Sequence, residues 1–530
     1  MKRVASFLFL AVSSALLFAQ CSEAYAPIRN DCFWQTVDGE PLYSQGGGIF
    51  RLADPRTGEP RYFWYGVRYA EADTYRRDPS VTLESNHFEG VTCYSSDDLS
   101  HWKFEADVLT REEVESHARP TWVGRMGVAH LPEIERYAMF IQHGPRVLVA
   151  LADNPLGPFT WDHEIDMTSR IGTSNTGDQT VFTDEDTGRS YLIYSYGRGR
   201  NRIYVSEIGV RDGQVDLLDC TEVFHGASRE GNCLFKYKGR FFMCASNIYG
   251  WDSSFAYYLV ADDIRGPYLP TNDMQIMAGC ESDYAHVSQT GFFYTVRGSE
   301  QETVVFCGDR WAEFAGNGLG YNQWCPISFD DEGLPHFHSL SAWSLDVRTG
   351  RWRVDPENNY VLNGSFEADR RPVPNPVKPV QDYLTGWHTE VERGGAVIVG
   401  DSLSPQLNYL NTREDRQYVI GEKSLRIEDA VPFRRKISQQ IGSASSVALP
   451  DGCYTLRAMA RVRGRFARLE MYASCNGGCR TADLSALPDA WSEILIEDIP
   501  VSGGAAEVGF IADGEGGSWC LIDDVQFIRE

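Results

Sequence analysis

Two carboxyl residues stand directly before apolar, strand-like runs. Asp178 precedes Gln179-Thr180-Val181-Phe182, and Glu230 stands just ahead of Cys233-Leu234-Phe235. An acid at such a strand end, partly desolvated and near a second carboxylate, would keep its proton near neutrality and could serve as a general acid. The residues alone leave a plainer reading open. Glu230 could be an exposed loop carboxylate paired with Arg229 or Lys236, and Asp178 a turn residue satisfying backbone donors after Gly177.

What must position these side chains is a repeat. One strand type recurs as Arg61-Tyr62-Phe63-Trp64-Tyr65, Arg136-Tyr137-Ala138-Met139-Phe140, Arg189-Ser190-Tyr191-Leu192-Ile193, Arg240-Phe241-Phe242-Met243-Cys244 and Glu302-Thr303-Val304-Val305-Phe306, at intervals of 75, 53, 51 and 62 residues. A second type follows it, around Tyr94, Ala150, Tyr204 and Val260, and two copies end in Gly157-Pro158-Phe159 and Gly266-Pro267-Tyr268. Each run is β-branched or aromatic-rich and too short for a core helix. Five units, each worth about four strands, predict an all-β chain that opens with a five-bladed β-propeller over residues 27–354. The texture then changes at Asn363-Gly364-Ser365-Phe366-Glu367 and a Pro-rich stretch. Short alternating strands follow, and predict a β-sandwich (jelly roll) over residues 358–530.

Composition narrows the class. The 530 residues carry 49 basic and 74 acidic side chains, a net charge of −25. That charge repels phosphate backbones, so a nucleic-acid partner is not expected. At the start, Lys2 and Arg3 precede an apolar run from Val4 to Phe18, too short for an ordinary spanning helix. Residues 1–20 are expected to be a lipoprotein-type signal, with Cys21 acylated and a periplasmic or cell-surface location in a bacterium. A cut after Ala24-Tyr25-Ala26 is the alternative, though it places Pro27 next. The membrane contact expected is that lipid anchor alone, on a monomer. Cys233, Cys244, Cys307 and Cys325 sit in apolar surroundings and are expected to be buried free thiols, whereas Cys475 and Cys479 flank a tight loop that a disulfide could span.

Several phrases, in order, resemble glycoside hydrolase family 43, and within it the exo-β-1,3-galactanase branch. They are Gly46-Gly47-Gly48-Ile49-Phe50, Tyr62 to Gly66, Ser96-Asp97-Asp98-Leu99-Ser100-His101-Trp102, Gly177-Asp178-Gln179-Thr180-Val181-Phe182-Thr183-Asp184, Glu230 ahead of Phe235-Lys236, Ser288-Gln289, and Gly308-Asp309-Arg310-Trp311. The tail resembles jelly-roll carbohydrate-binding modules through its Asn-Gly-Ser-Phe-Glu opening and Ile522-Asp523-Asp524-Val525 close.

The resemblance implies an exo-acting glycosidase that trims terminal galactosyl or pentosyl units from plant or algal polysaccharide side chains, with inversion. It implies Glu230 as general acid, Asp178 as the carboxylate that orients it and raises its pKa, and Gln289 as the residue that positions or activates water. The chain departs from most of that family in blade one, where Tyr43-Ser44-Gln45-Gly46 holds no carboxylate. It departs from the galactanases at Ala118-Arg119-Pro120, where they carry a sugar-reading Glu. Gln45, Arg119, Trp122, Trp251, Arg310, Trp311 and Trp324 are candidates for lining a sugar pocket, since tryptophan faces stack on sugar C–H faces. For each Trp, blade packing is the alternative, and Arg310 could instead pair with Asp309. No cofactor is expected. A structural calcium would need oxygen ligands, and no compact Asp-rich loop offers them; His286 is read as a core histidine. Two other functions stay open: an α-L-arabinofuranosidase or β-xylosidase of the same family, and a catalytically degenerate glycan-binding lipoprotein.

Overall fold

The five Arg- or Glu-led runs each become the second strand of a four-stranded antiparallel unit, buried between the strands that flank it. A computed structural model describes residues 25–78, 83, 85–197, 199–249, 254–280, 288–312, 317–368, 384–395, 423–442, 447–476 and 478–530. Residues 1–20, expected to be a signal, and Cys21 lie outside these residues, as do Trp251 and His286.

The blades begin with the inner strands Gln45–Ala53, Val123–Leu131, Gln179–Asp184, Glu230–Tyr237 and Gln289–Arg297. Each pairs with the next strand in sequence, and so on outward in simple up-and-down order; in blade three an extra strand, Thr221–His225, also pairs with the third. This is the five-bladed propeller. Its ends meet in a separate sheet, where Ala26–Arg29 pairs with Ala342–Asp346, Ala26 lying opposite Leu345. Apolar clusters fill the spaces between blades. Trp64, Trp102 and Trp324 are essentially inaccessible, and Trp34 stacks edge-on against Trp324 at 4.9 Å. Trp324 is therefore packing and not part of a sugar pocket; it sits in the middle of its strand, away from the inner-strand ends.

The C-terminal sandwich has two sheets. One runs His388–Arg393, Phe433–Ile441, Ala506–Gly514, Phe466–Cys475, Gly478–Asp483; the other Leu425–Glu428, Trp519–Arg529, Gly452–Arg463, Ser492–Val501. Strand Gly452–Arg463 alternates buried and half-buried residues along its length, the period-2 pattern of a strand with one face inward. Its buried face, Tyr454, Leu456, Ala458, Ala460 and Val462, joins Phe366, Trp387, Phe510 and Phe527 in one core.

All twelve cysteines from Cys32 to Cys520 are free, including Cys475 and Cys479. Cys233, Cys244, Cys307 and Cys325 are buried, as their apolar surroundings predict.

Candidate active site

The site is built from strand ends. Gln45, Glu230 and Gln289 are the first residues of their inner strands, Asp178 immediately precedes a fourth, and Arg125 is third in the remaining one. Four of these strands start with a register shift: Gln45/Gly48, Val123/Met126, Glu230/Cys233 and Thr290/Phe292. A bulge bends the strand and re-aims the residues beside it, here at the axial end. Gly231 shows why glycine follows Glu230. Its φ is +60°, and a Cβ would lie 2.5 Å from the carbonyl oxygen of Thr290. Its N–H donates to Asp178 Oδ2 at 2.8 Å, so the bulge of blade four holds the carboxylate of blade three.

These ends surround a cavity of about 270 Å³. It brings together Glu230, Asp178, Gln289, Gln45, Trp122 and Trp311, all expected from the sequence, with Tyr69, Arg125 and Arg200, which were not. Trp122 is the exposed lip, at 36% accessibility, and its indole lies over the backbone of Gly124.

Arg125 is the hub. Its buried guanidinium donates through Nη1 to Asp309 Oδ2 at 3.0 Å and through Nη2 to Gln289 Oε1 at 2.6 Å, and its Nε lies 3.3 Å from Asp178 Oδ2. Trp311 Nε1 donates to the same Gln289 oxygen at 2.9 Å. Both lone pairs of that amide oxygen are therefore engaged, and the Gln289 side chain lies in the same cavity as the Glu230 carboxyl, whose pKa it lowers.

The two carboxyls are driven apart. Burial pushes Glu230 up, and the charge of Asp178 adds to it; Arg200, Arg125 and Gln289 pull back, leaving its pKa at about 8. Burial also opposes ionisation of Asp178, but Arg125, Arg200 and the Gly231 N–H outweigh it and hold this carboxyl below its ordinary value. Asp309 is raised by burial, against the pull of Arg125 and the Gly46 N–H. Near neutrality the site thus presents a protonated Glu230 beside an ionised Asp178. Arg200, about one-third exposed, reaches Glu230 from a turn where its own φ is +59°, its Nη1 donating to Glu230 Oε2; the contact becomes an ion pair only once Glu230 loses its proton.

Other sequence expectations land elsewhere. Arg119 is exposed and does not line the cavity. Arg310 points away from it, donating to Glu367 Oε2 at 2.7 Å and to the Trp311 carbonyl at 2.6 Å. Strand alternation explains this, since Asp309 and Trp311 face the axis and the residue between them cannot. Asp309 pairs with Arg125 instead. The plainer partners of Glu230 are occupied too: Arg229 bonds Asn247, and Lys236 bonds Asp184 and Asp186. Arg125 was missed because an arginine inside Val123-Gly124-Arg125-Met126 reads as an ordinary strand residue. The signal was there in the glycine, since Gln45-Gly46, Gly124-Arg125 and Glu230-Gly231 all put glycine beside an axial polar residue at an inner-strand start.

Among the described residues no cluster of three or more His, Cys, Asp or Glu side chains could hold a metal ion. The donor set does not suit calcium, because the Arg125 guanidinium lies against both Asp178 and Asp309 and would repel a cation there.

Residues 71–318 match the family model for glycosyl hydrolases family 43. No curated protein matches the chain. Among solved structures, an exo-β-1,3-galactanase from Phanerochaete chrysosporium holding β-1,3-galactotriose is similar with a TM-score of 0.52 and 18% identity, over 95% of this chain and 100% of that one. An exo-β-1,3-galactanase from Clostridium thermocellum gives 0.51 and 17%, again over 95% and 100%. At these identities the likeness is one of fold, and it extends over both domains.

Proposed function

From the premise that the propeller belongs to glycosyl hydrolase family 43 and the chain is a glycosidase, we propose that it removes terminal galactosyl or pentosyl units from plant or algal polysaccharide side chains. Glu230 gives its proton to the leaving oxygen. Asp178 stays ionised, raises the pKa of Glu230 and fixes its position through the Gly231 bulge. Gln289, its oxygen held by Arg125 and Trp311, orients the reacting groups and is not itself a strong base. The outcome is inversion: water adds to the anomeric carbon on the face away from Glu230 as the bond to the leaving oxygen breaks, Glu230 protonates that oxygen, and the water's proton passes to solvent, since Gln289 positions the water without keeping its proton.

The observation that carries this reading is the split between Glu230, pushed up to about 8, and Asp178, held down, in one cavity. Such a split is how paired carboxyls divide their roles. The galactotriose held by the Phanerochaete chrysosporium relative supports a galactosyl terminus. The test is hydrolysis of a panel of plant-glycan oligosaccharides by wild type and Glu230→Gln, with product identification and NMR of the first-formed anomer. Release of single sugars by wild type and none by the variant supports the proposal; equal inertness of both on the whole panel sinks it.

One observation favours a second reading, a glycan-binding lipoprotein without catalysis. Blade one offers Gln45 and no carboxylate, and the oxygen of Gln289 is already engaged. In that case wild type would bind sugars it does not cleave. We also propose export and tethering through Cys21, checked by mass spectrometry of the mature N-terminus from a membrane fraction.

A further inference from the structure

Arg310 and Glu367 form a buried ion pair between the last propeller blade and the segment that opens the sandwich, with side-chain accessibilities of 7% and 10%. Glu367 is held on both sides of the domain junction. Its neighbour Phe366 is inaccessible within the sandwich core, whereas Ala368 packs into the cluster of blades four and five with Phe337 and Ile327. The second carboxylate oxygen of Glu367 accepts the backbone N–H of Lys423 at 2.8 Å, and its carbonyl accepts Lys423 Nζ at 3.3 Å. Both atoms belong to the chain entering strand Leu425–Glu428 of the sandwich.

From Arg310 the contacts lead into the cavity. The same guanidinium donates to the Trp311 carbonyl at 2.6 Å, the Trp311 indole donates to Gln289 Oε1 at 2.9 Å, and Gln289 lines the same cavity as Glu230 and lowers its pKa. We propose that Glu367 is a positioning residue of the active site: clamped by the sandwich, it sets Arg310, which sets the Trp311 backbone and so the amide plane of Gln289. On this view the sandwich is part of the active-site scaffold as well as any glycan surface it offers. The inference rests on the catalytic reading of the cavity given above.

The physical case is that a planar, bidentate guanidinium cannot be left buried without its anion. Without the carboxylate, Arg310 must move toward water or be bridged by it, and either motion takes the Trp311 carbonyl with it. A small displacement of a positioning group is enough to lower turnover strongly.

The test uses the full-length chain and four variants: Glu367→Gln, Glu367→Asp, Trp311→Phe and the double Glu367→Gln/Trp311→Phe. Val447→Ala is the control, since Val447 packs at the same domain junction against both cores and lies outside the cavity. Glu367→Gln is expected to lower kcat at least tenfold, with KM less affected, and Glu367→Asp to recover part of the loss. The double variant is expected to be no worse than Trp311→Phe alone. Glu230 faces Asp178, Arg125 and Arg200 as well as Gln289, and only the Gln289 contribution is altered, so the alkaline limb of kcat/KM should move upward equally in Glu367→Gln and Trp311→Phe. Val447→Ala should lower the Tm and leave kcat and the pH profile unchanged.

Wild-type kcat and pH profile in folded Glu367→Gln would overturn the proposal, as would losses that multiply in the double variant. If Glu367→Gln does not fold, Glu367→Asp carries the same comparison. If wild type cleaves no glycan, the catalytic reading has failed separately, and the cycle is then read in the dissociation constant of β-1,3-galactotriose. There, equal affinity of wild type and Glu367→Gln overturns the positioning role, and coupled losses with Trp311→Phe support it.

Discussion

Arg125 Nη2 donates to Gln289 Oε1 at 2.6 Å, while the same guanidinium contacts Asp309 and Asp178. One cation from blade two therefore holds one residue of blade three and two of blade five. Arg125→Met would remove the cation that contacts two buried carboxyls and should destabilise the fold by about 3–5 kcal/mol, read by chemical denaturation. Arg125→Lys keeps the charge but not the three contacts. It should fold, and lose roughly 10- to 100-fold in kcat because Gln289 is no longer held.

Glu230→Gln should reduce kcat by about 10²–10⁴-fold on substrates with sugar leaving groups, the usual worth of a positioned general acid. On aryl glycosides with a strongly acidic leaving group the loss should be much smaller, because departure no longer needs a proton. A uniform loss on both substrate types would remove Glu230 from the proton-donor role.

The pH dependence follows from the same residue. A general acid works only while protonated, so kcat/KM should fall as pH rises through about 8. Stability has its own signature. The folded pKa of Glu230 lies above the unfolded value, so the folded state binds the extra proton between them and loses stability as pH climbs through that window. Glu230→Gln cannot ionise and escapes this loss. Relative to wild type its Tm should therefore rise progressively from about pH 5 to pH 8, measured by calorimetry. A Tm difference that is flat across this range would contradict the buried, raised carboxyl.

The lip of the cavity depends on a missing side chain. A Cβ on Gly124 would fall 2.1 Å from the Trp122 ring, so Gly124→Ala must push the indole off its seat. If Trp122 stacks on the sugar, Gly124→Ala and Trp122→Ala should each raise KM about tenfold with little change in kcat, consistent with an aromatic contact worth roughly 1 kcal/mol. Unchanged KM in both variants would make Trp122 a bystander.

Much of the propeller was legible in the sequence because its second strands are short, apolar or aromatic runs with a polar residue at their head, and they repeat at a readable interval. Glu230 and Asp178 stood out as carboxyls ahead of apolar runs, but their roles, and Gln289 altogether, were legible only through the family resemblance. Arg125 and Arg200 were not, for different reasons. Arg125 sits within a strand, and its partners come from blades more than 50 residues away, so no local spacing points to it. Arg200 reaches Glu230 from a left-handed turn that its neighbours in sequence do not announce. Arg310 was misplaced for a simpler reason. It belongs to a phrase with Asp309 and Trp311, but in a strand the middle residue of three faces the other way.

The bulges that open four of the inner strands separate two demands on the chain. Beyond each bulge the ladder carries the load of the fold; within it, one or two residues drop out of the pairing, and the residue ahead of it is held at the axial end by a single pairing. A designer could exchange Gln45 or Gln289 for other side chains and leave the hydrogen-bonded register beyond the bulge intact. That makes this mouth a set of interchangeable tool holders, and blade one, with its amide where an acid would fit, the first place to try restoring a carboxylate.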